Sequence, residues 1–289
     1  MKTTANSFEV SAVTTAAELN IEMVELFRWN CCGTVHALAE DDAMRLLAPI
    51  RNLIRVEEMA LEGEVDEERV VTLCAMCYNT LKRANAVVRE NEEKLQKITD
   101  FMDREKNYCG SATVVHLLEV LQDLGWKKVA DRVERPLEGL AVAPYYGCLL
   151  LRPRGFGIDD VDNPQILERM LETLGADVVY LPFKSRCCGA YHTVHLKEVA
   201  SDLSYRILAQ AVEAGADILT LACPLCEYNM GSRQEEIKRL FQEFKPIPVV
   251  YFTQLMAFAF GLDKATGFEL NTPDPRPLLK KRGLFKEDL

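Results

Sequence analysis

The stretch "ADILTLACPLCEYN" (residues 216–229) decides how this chain folds. Its first seven residues form a short apolar run behind Gly215, which reads as a buried strand. The run ends at Cys223, and Cys226 follows across a CxxC turn. Upstream, the periodicity predicts an amphipathic helix over 194–214 that Gly215 stops. Before it, "ADVVYLPF" (176–183) is a second β-rich run that delivers the chain to Cys187 and Cys188. A helix is expected over 164–174, ended by Gly175, and a third strand over 141–147, ending at Cys148. Strands alternating with helices imply a parallel sheet wound by right-handed crossovers. Such sheets gather ligands beyond the carboxyl ends of their strands. Cys148, Cys187, Cys188, Cys223 and Cys226 all fall at those ends, so the pattern predicts one crevice lined by five thiols.

The first half repeats the plan. Cys31 and Cys32 are followed by 41 residues and then Cys74-x-x-Cys77; Cys187 and Cys188 are followed by 34 residues and then Cys223-x-x-Cys226. Both pairs read C-C-G-x-x-H, with Gly33 and His36 matching Gly189 and His192, and both CxxC turns run into Tyr-Asn (Tyr78-Asn79, Tyr228-Asn229). Strands are expected over 21–27 and 69–73, and helices over 35–60 and 80–104. The acidic excursion "LEGEVDEER" (61–69) accounts for the longer spacing. A counterpart of 141–148, a strand and its terminal cysteine, is missing. The expected fold class is α/β, two duplicated domains related by pseudo-two-fold symmetry, each a small parallel sheet wound by helices. The expected bounds are 1–105 for the first domain, 106–140 for a helical connector, 141–265 for the second domain and 266–289 for an extended tail.

Composition narrows the function. The chain has 289 residues, 48% of them hydrophobic, so a real core is available and disorder is excluded. Its formal net charge of −10 argues against sequence-independent binding to nucleic acid. The N-terminus "MKTTANSFEV" lacks the apolar core of a signal peptide. The longest apolar runs, 139–151 and 248–260, are too short and polar to span a bilayer. The expectation is a soluble, cytoplasmic protein with no membrane insertion. Nine of its ten cysteines fall into adjacent pairs, CxxC pairs or the lead position, which favours metal or cluster ligation over disulfides.

CxxC supplies two thiolates from one turn, and its second cysteine is expected at a helix N-terminus, where free N–H groups favour the thiolate. Side chains of adjacent cysteines diverge. A Cys-Cys pair therefore suits two metals, or a bridge between irons in an extended cluster, better than one tetrahedral ion.

Cys148, Cys187, Cys188, Cys223 and Cys226, with the phrases "YYGCLLLRP" (145–153), "RCCGAYH" (186–192) and "CAMCYNTLKRAN" (74–85), resemble the cysteine-rich CCG domain family and, closely, the B-type subunits of heterodisulfide reductase. The resemblance covers nearly the whole chain. It implies that each complete motif holds a noncubane 4Fe–4S cluster that reductively cleaves a disulfide. Two clusters are implied, at Cys148, Cys187, Cys188, Cys223 and Cys226 and at Cys31, Cys32, Cys74 and Cys77; zinc or an ordinary cluster is the alternative at the second of these. It also implies a ferredoxin-like iron–sulfur subunit and a flavin-containing subunit as partners, and a small-molecule disulfide as substrate. In the family the first motif's lead cysteine precedes residues like "KTTANSFEVSAV" (2–13), which places it upstream of Met1; the expectation is a native form that carries that strand and cysteine, with genuine loss as the rival.

Other candidates have competing readings. His36 and His192 suit either a hydrogen bond to cluster sulfur or a structural role. Arg152, Lys184 and Arg186 near the second motif suit an anionic thiol substrate or ordinary surface charge. Cys109 is expected to be a small buried or semi-exposed residue, His195 a surface residue, and His116 a core residue or helix cap. Two further functions compete with disulfide reduction: an electron-transfer subunit without its own substrate, and a zinc-stabilised scaffold.

Overall fold

A computed structural model describes residues 5–34 and 42–285. Its second half is built on a parallel sheet of four strands, β3 (Ala141–Tyr145), β4 (Asp177–Val178), β5 (Ile218–Leu221) and β6 (Val249–Tyr251), in the order β4-β3-β5-β6. Every residue of β5 and β6 is buried, so these strands carry unbroken apolar runs, as a sheet covered on both faces requires. The helices α7 (Ile166–Thr173) and α8 (Lys197–Glu213) form the crossovers. The β-rich run over 176–183 joins the ladder only at Asp177 and Val178, followed by one further bond from Val179 N–H to Val142 O. Pro144 is the cause: two positions beyond Val142 it faces the same edge of β3 and has no N–H to extend the ladder.

The first half carries a smaller parallel sheet, β1 (Arg69–Thr72) beside β2 (Thr113–His116). These are the counterparts of β5 and β6. The region 106–140, expected as a helical connector, is thus helical only at α5 (Leu117–Leu124) and α6 (Trp126–Ala130), and supplies a strand of the first sheet. The helix expected over 80–104 is two helices, α3 (Ala75–Glu90) and α4 (Glu92–Phe101), divided at Asn91, whose side chain caps α4 by accepting from Lys94 N–H. Of the helix expected over 35–60, the described part is α2 (Leu47–Leu61), entered through a 3-10 turn at Ala43–Leu46.

The strand expected over 21–27 does not form; the segment is irregular. Its counterpart β4 pairs only with β3, and the described first half holds no equivalent of β3. Polar side chains of α2 hold the segment instead. Asn52 accepts from Asn30 N–H at 2.9 Å and donates to Asn30 O at 2.8 Å. Arg55 donates to Arg28 O and to Asn30 Oδ1, and Glu58 pairs with Arg28. Asn52, Arg55 and Glu58 are all buried, so each is committed to these partners.

The pseudo-two-fold relation appears in how the halves exchange helices. Residues ahead of the expected strand over 21–27, for which the sequence predicts no element, form α1 (Asn6–Glu18). It packs on α11 (Phe252–Ala259), the helix after β6, while α5, the helix after β2, packs on α7 of the second half. Phe8 stacks on Tyr251 at 4.1 Å, and Ser11 and Thr253 share a hydrogen bond of 2.7 Å. The tail expected to be extended over 266–289 folds back: α13 (Arg276–Lys281) follows a 3-10 turn at Phe268–Leu270, and Arg282 pairs with Asp217. Among the described residues no helix is long and apolar enough to cross a membrane.

The two CxxC turns meet at the pseudo-axis. Ala75 N–H donates to Ala222 O at 2.9 Å. The matching donor would be residue 224, but Pro224 has none, and His116 Nε2–H reaches the corresponding carbonyl of Leu73 at 2.8 Å. His116 is both core residue and cap: it is fully buried, and its Nδ1 accepts from Leu118 N–H. Protonation of Nδ1 would oppose that donor. Burial pushes the pKa down from 6.5 to about 4. The folded value lies below the unfolded one, so the contribution is present above pH 6.5 and is lost as pH falls towards 4. It amounts to about 3 kcal/mol. The urea midpoint of the native protein should fall across that window more steeply than that of a His116→Asn variant; parallel profiles would refute the assignment.

Candidate metal centre

Both CxxC turns sit where a buried strand meets a helix. Cys223 is the N-cap of the short helix α9 (Pro224–Glu227), with Pro224 in its first turn, and Cys74 is the N-cap of α3. The first cysteine of each pair, and not the second, therefore occupies the capping position. Backbone N–H groups of Leu225 and Cys226 point at Cys223 and help to hold its pKa down.

Eight sulfurs form one string that crosses between the halves. Cys148 contacts Cys187, which contacts Cys188; Cys188 reaches Cys226 at 3.3 Å. Cys226 contacts Cys223, Cys223 contacts Cys74, and Cys74 contacts Cys77, which reaches Cys32 at 3.1 Å. Cys31 is exposed and stands outside the string. Cys187, Cys223 and Cys77 are each hydrogen-bonded by two neighbouring thiols, which lower their pKa values; that of Cys187 falls to about 2 through Cys148 and Cys188, aided by backbone N–H groups of Gly189 and Ala190. Cys148, Cys188, Cys226, Cys74 and Cys32, the donors in these pairs, are correspondingly raised.

The glycine of C-C-G has a packing reason. Gly189 lies at φ +87°, and a Cβ there would come within 2.8 Å of Ala200 Cα on α8. The loop must press against α8 because Ser204 Oγ donates to Cys188 O at 3.0 Å. Gly33 repeats the left-handed conformation at φ 97°. Gly189→Ala adds about 1–2 kcal/mol of backbone strain to this clash. It should cut the iron bound by the second motif at least by half, read as iron per chain; unchanged loading would mean that the loop tolerates the shift.

Lys184 is not a substrate-facing cation. It is 7% exposed and is held by Glu168 and by Pro164 O, while Tyr146 OH also donates to Glu168. Lys184 O in turn accepts from the N–H groups of Tyr146 and Gly147, which fixes the loop carrying Cys148 against the loop carrying Cys187. Arg152 and Arg186 are exposed: Arg152 donates to Ser185 O, and Arg186 lies over the Phe183 ring. His192 is half-buried, His195 is exposed, and His36 lies outside the described residues. Cys109 is exposed on a loop whose N–H groups bond Glu57.

Sequence reasoning misses the residues that brace the string. Asn229 donates to Cys188 O at 3.3 Å and to Cys188 Sγ at 3.6 Å, while Asn79 donates to Leu149 O and Arg152 O across the halves. The repeated Tyr-Asn after each CxxC is the signal that could have found them. Ser204 and Glu168 carry none.

A small apolar recess lies among Cys148, Cys188, Cys223 and Cys226, walled by Ala75 and Met76. Among the described residues no three His, Cys, Asp or Glu side chains converge as a site for a single ion. Soft thiol donors in successive contact beside a partly open apolar recess fit an extended iron–sulfur group.

Fold and site together define a duplicated α/β protein built around a string of cysteine sulfurs. The family model described as "Cysteine-rich domain" matches residues 3–82 and 142–231, and the chain belongs to that family. Its similarity to the 8-methylmenaquinol:fumarate reductase membrane anchor subunit of Wolinella succinogenes is 31% identity, over 91% of this chain and 90% of that one. The B-type polypeptide of the ferredoxin/F(420)H(2)-dependent CoB-CoM heterodisulfide reductase of Methanosarcina acetivorans is 29% identical, over 84% of this chain and 81% of its own. A relative of the same B type from Archaeoglobus profundus, named as heterodisulfide reductase-like, is 27% identical over 88% of this chain and 86% of its own. Among solved structures, a hypothetical protein from Helicobacter pylori superposes with a TM-score of 0.71 at 13% identity. That match covers 92% of this chain but 48% of the solved one, and it shows the fold alone.

Proposed function

We propose that this chain is the disulfide-reducing iron–sulfur subunit of an oxidoreductase complex. The family and the reductase subunits it resembles support the coarser part, an iron–sulfur subunit of a reductase. The observation that carries the finer part is the sulfur string, which runs from Cys148 through Cys223 and Cys74 to Cys32 and so joins the two halves. Cys148, Cys187, Cys188, Cys223 and Cys226 would hold one noncubane cluster, and Cys31, Cys32, Cys74 and Cys77 would supply the ligands of a second group. Bound there, such groups supply the single electrons that breaking a sulfur–sulfur bond requires.

The chain's own residues prepare the site. The N–H of Gly189 and the amide of Asn229 donate to the sulfurs of Cys187 and Cys188 and stabilise negative charge there. Burial, reinforced by the surrounding cysteines, pushes the pKa of Tyr145 well up, so its hydroxyl stays protonated and donates to Arg186 O. The exposed Arg152 and Arg186, close in sequence to Cys148 and Cys187, suit an anionic substrate. The reaction takes one disulfide, two electrons and two protons to two thiols. The electrons would come from a ferredoxin-like subunit fed by a flavin subunit, because this sequence has neither a ferredoxin-type cysteine run nor a nucleotide-binding glycine fingerprint.

The similarity to a quinol:fumarate reductase subunit favours a second reading, an electron relay with no disulfide substrate. One titration separates the two. Protein purified without oxygen and reduced with dithionite is mixed with bis(2-hydroxyethyl) disulfide and with bis(2-carboxyethyl) disulfide. Reoxidation with release of two thiols per disulfide is expected. A visible spectrum unmoved by either compound, in protein that still accepts electrons, would leave the relay.

A further inference from the structure

A second recess, open to solvent, lies against α3. Arg45, Thr80 and Arg83 line it, with Leu46, Pro49 and Val87 as apolar walls. Thr80 is 3% exposed, and its hydroxyl has no hydrogen-bond partner. A helical threonine ordinarily returns its hydroxyl to the carbonyl one turn back. Here the donor is buried and unsatisfied, which marks a place where a partner belongs. Arg83 is half-buried and makes no ion pair or hydrogen bond among the described residues. It lies within electrostatic reach of Tyr191, which in turn lies within reach of Cys148 and Cys187. Cys77, Thr80, Arg83 and Val87 follow one another along α3 at intervals of three, three and four residues, so they share one side of the helix. Three residues span about 4.5 Å of helix, and Thr80 stands one turn from Cys77.

The Arg83 guanidinium and the buried Thr80 hydroxyl, set against apolar walls, form a receptor for a tetrahedral or planar oxyanion attached to a carbon chain. We propose that this recess binds the carboxylate, sulfonate or phosphate group of the molecule on which the cysteine centre acts. That the anion belongs to the substrate rests on the function proposed above; the existence of the anion site does not. The chain thereby selects anionic over neutral disulfides through residues of the first half.

The test has two arms on the iron-loaded protein. In the first, inorganic phosphate is titrated at constant ionic strength, with chloride as the balancing salt, and followed by calorimetry. Saturable binding is expected. Arg83→Gln and Thr80→Val should each weaken it about tenfold, the loss of one charge-assisted or buried hydrogen bond, while Lys128→Gln on the distant α6 leaves it unchanged. Binding that is equal in all four proteins, or no saturable binding, overturns the site. In the second arm, thiol release from bis(2-carboxyethyl) disulfide is compared with that from bis(2-hydroxyethyl) disulfide. Arg83→Gln should raise KM about tenfold for the first and leave the second alone. Equal effects on both overturn the assignment to substrate. If neither disulfide is reduced by any protein, the proposed function fails, and the phosphate arm still decides the site.

Discussion

Cys223→Ala should strip iron from both halves of the centre, whereas Cys148→Ala should affect only the second. Cys223 stands mid-string, bonded to Cys226 on one side and to Cys74 of the first half on the other. Its thiolate is the acceptor for both thiols and is further held by the N-terminal N–H groups of α9. Removing it deletes a ligand of the second set and the sulfur against which Cys74 is oriented. Cys148 lies at the far end of the string, where its thiol hydrogen-bonds Cys187, and it reaches no cysteine of the first half. With two four-iron groups bound, the native chain would carry about eight irons. Iron and acid-labile sulfide per chain should then fall to well under four in the Cys223→Ala protein and to about four in Cys148→Ala. A Cys223→Ala protein that keeps a full first-half complement, with its spectrum intact, would show that the contact across the pseudo-axis carries no weight in assembly.

Lys184→Met should be the most destabilising single change outside the cysteines. Lys184 and Glu168 are an ion pair whose side chains are 9% and 11% exposed. Removing one partner leaves the other charge buried and unpaired, at about 3–5 kcal/mol. Tyr146 depends on the same carboxylate, and its OH also accepts from Leu167 N–H. The loss would therefore release the loop that positions Cys148, and iron loading of the second motif should fall with the urea midpoint. The double change Lys184→Met with Glu168→Gln removes both charges and should recover most of the stability. A single variant within about 1 kcal/mol of the native protein would mean that water reaches the pair.

Apolar runs and glycine stops are enough to place β3, β5 and the crossover helices α7 and α8, because a strand buried on both faces writes itself into the sequence as an unbroken run. β4 is shorter than its sequence suggests, since the run "ADVVYLPF" is apolar enough for a full strand, and only the register shows Pro144 cutting its ladder short. α1 gives no signal at all. Its packing face mixes Phe8, Ala12 and Ala16 with Ser7, Ser11 and Thr15, which pair locally and with Thr253, so no clear apolar stripe marks it. At the site, cysteine spacing points to the thiols that the fold gathers, Cys31 excepted, but the roles of Lys184, Asn229, Ser204 and Glu168 depend on partners far along the chain.

By itself, then, the sequence determined the duplication, the α/β class and the gathering of thiols at strand ends, because spacing and periodicity are local properties repeated in each half. Only the tertiary structure decided that the two sets are joined through Cys74 and Cys223, that the first pair hangs from the polar side chains of α2, and that Arg83 and Thr80 face one recess. Those are relations between surfaces brought together by the pseudo-two-fold packing. Their energy comes from burying polar groups against distant partners, and linear spacing does not encode which partners meet.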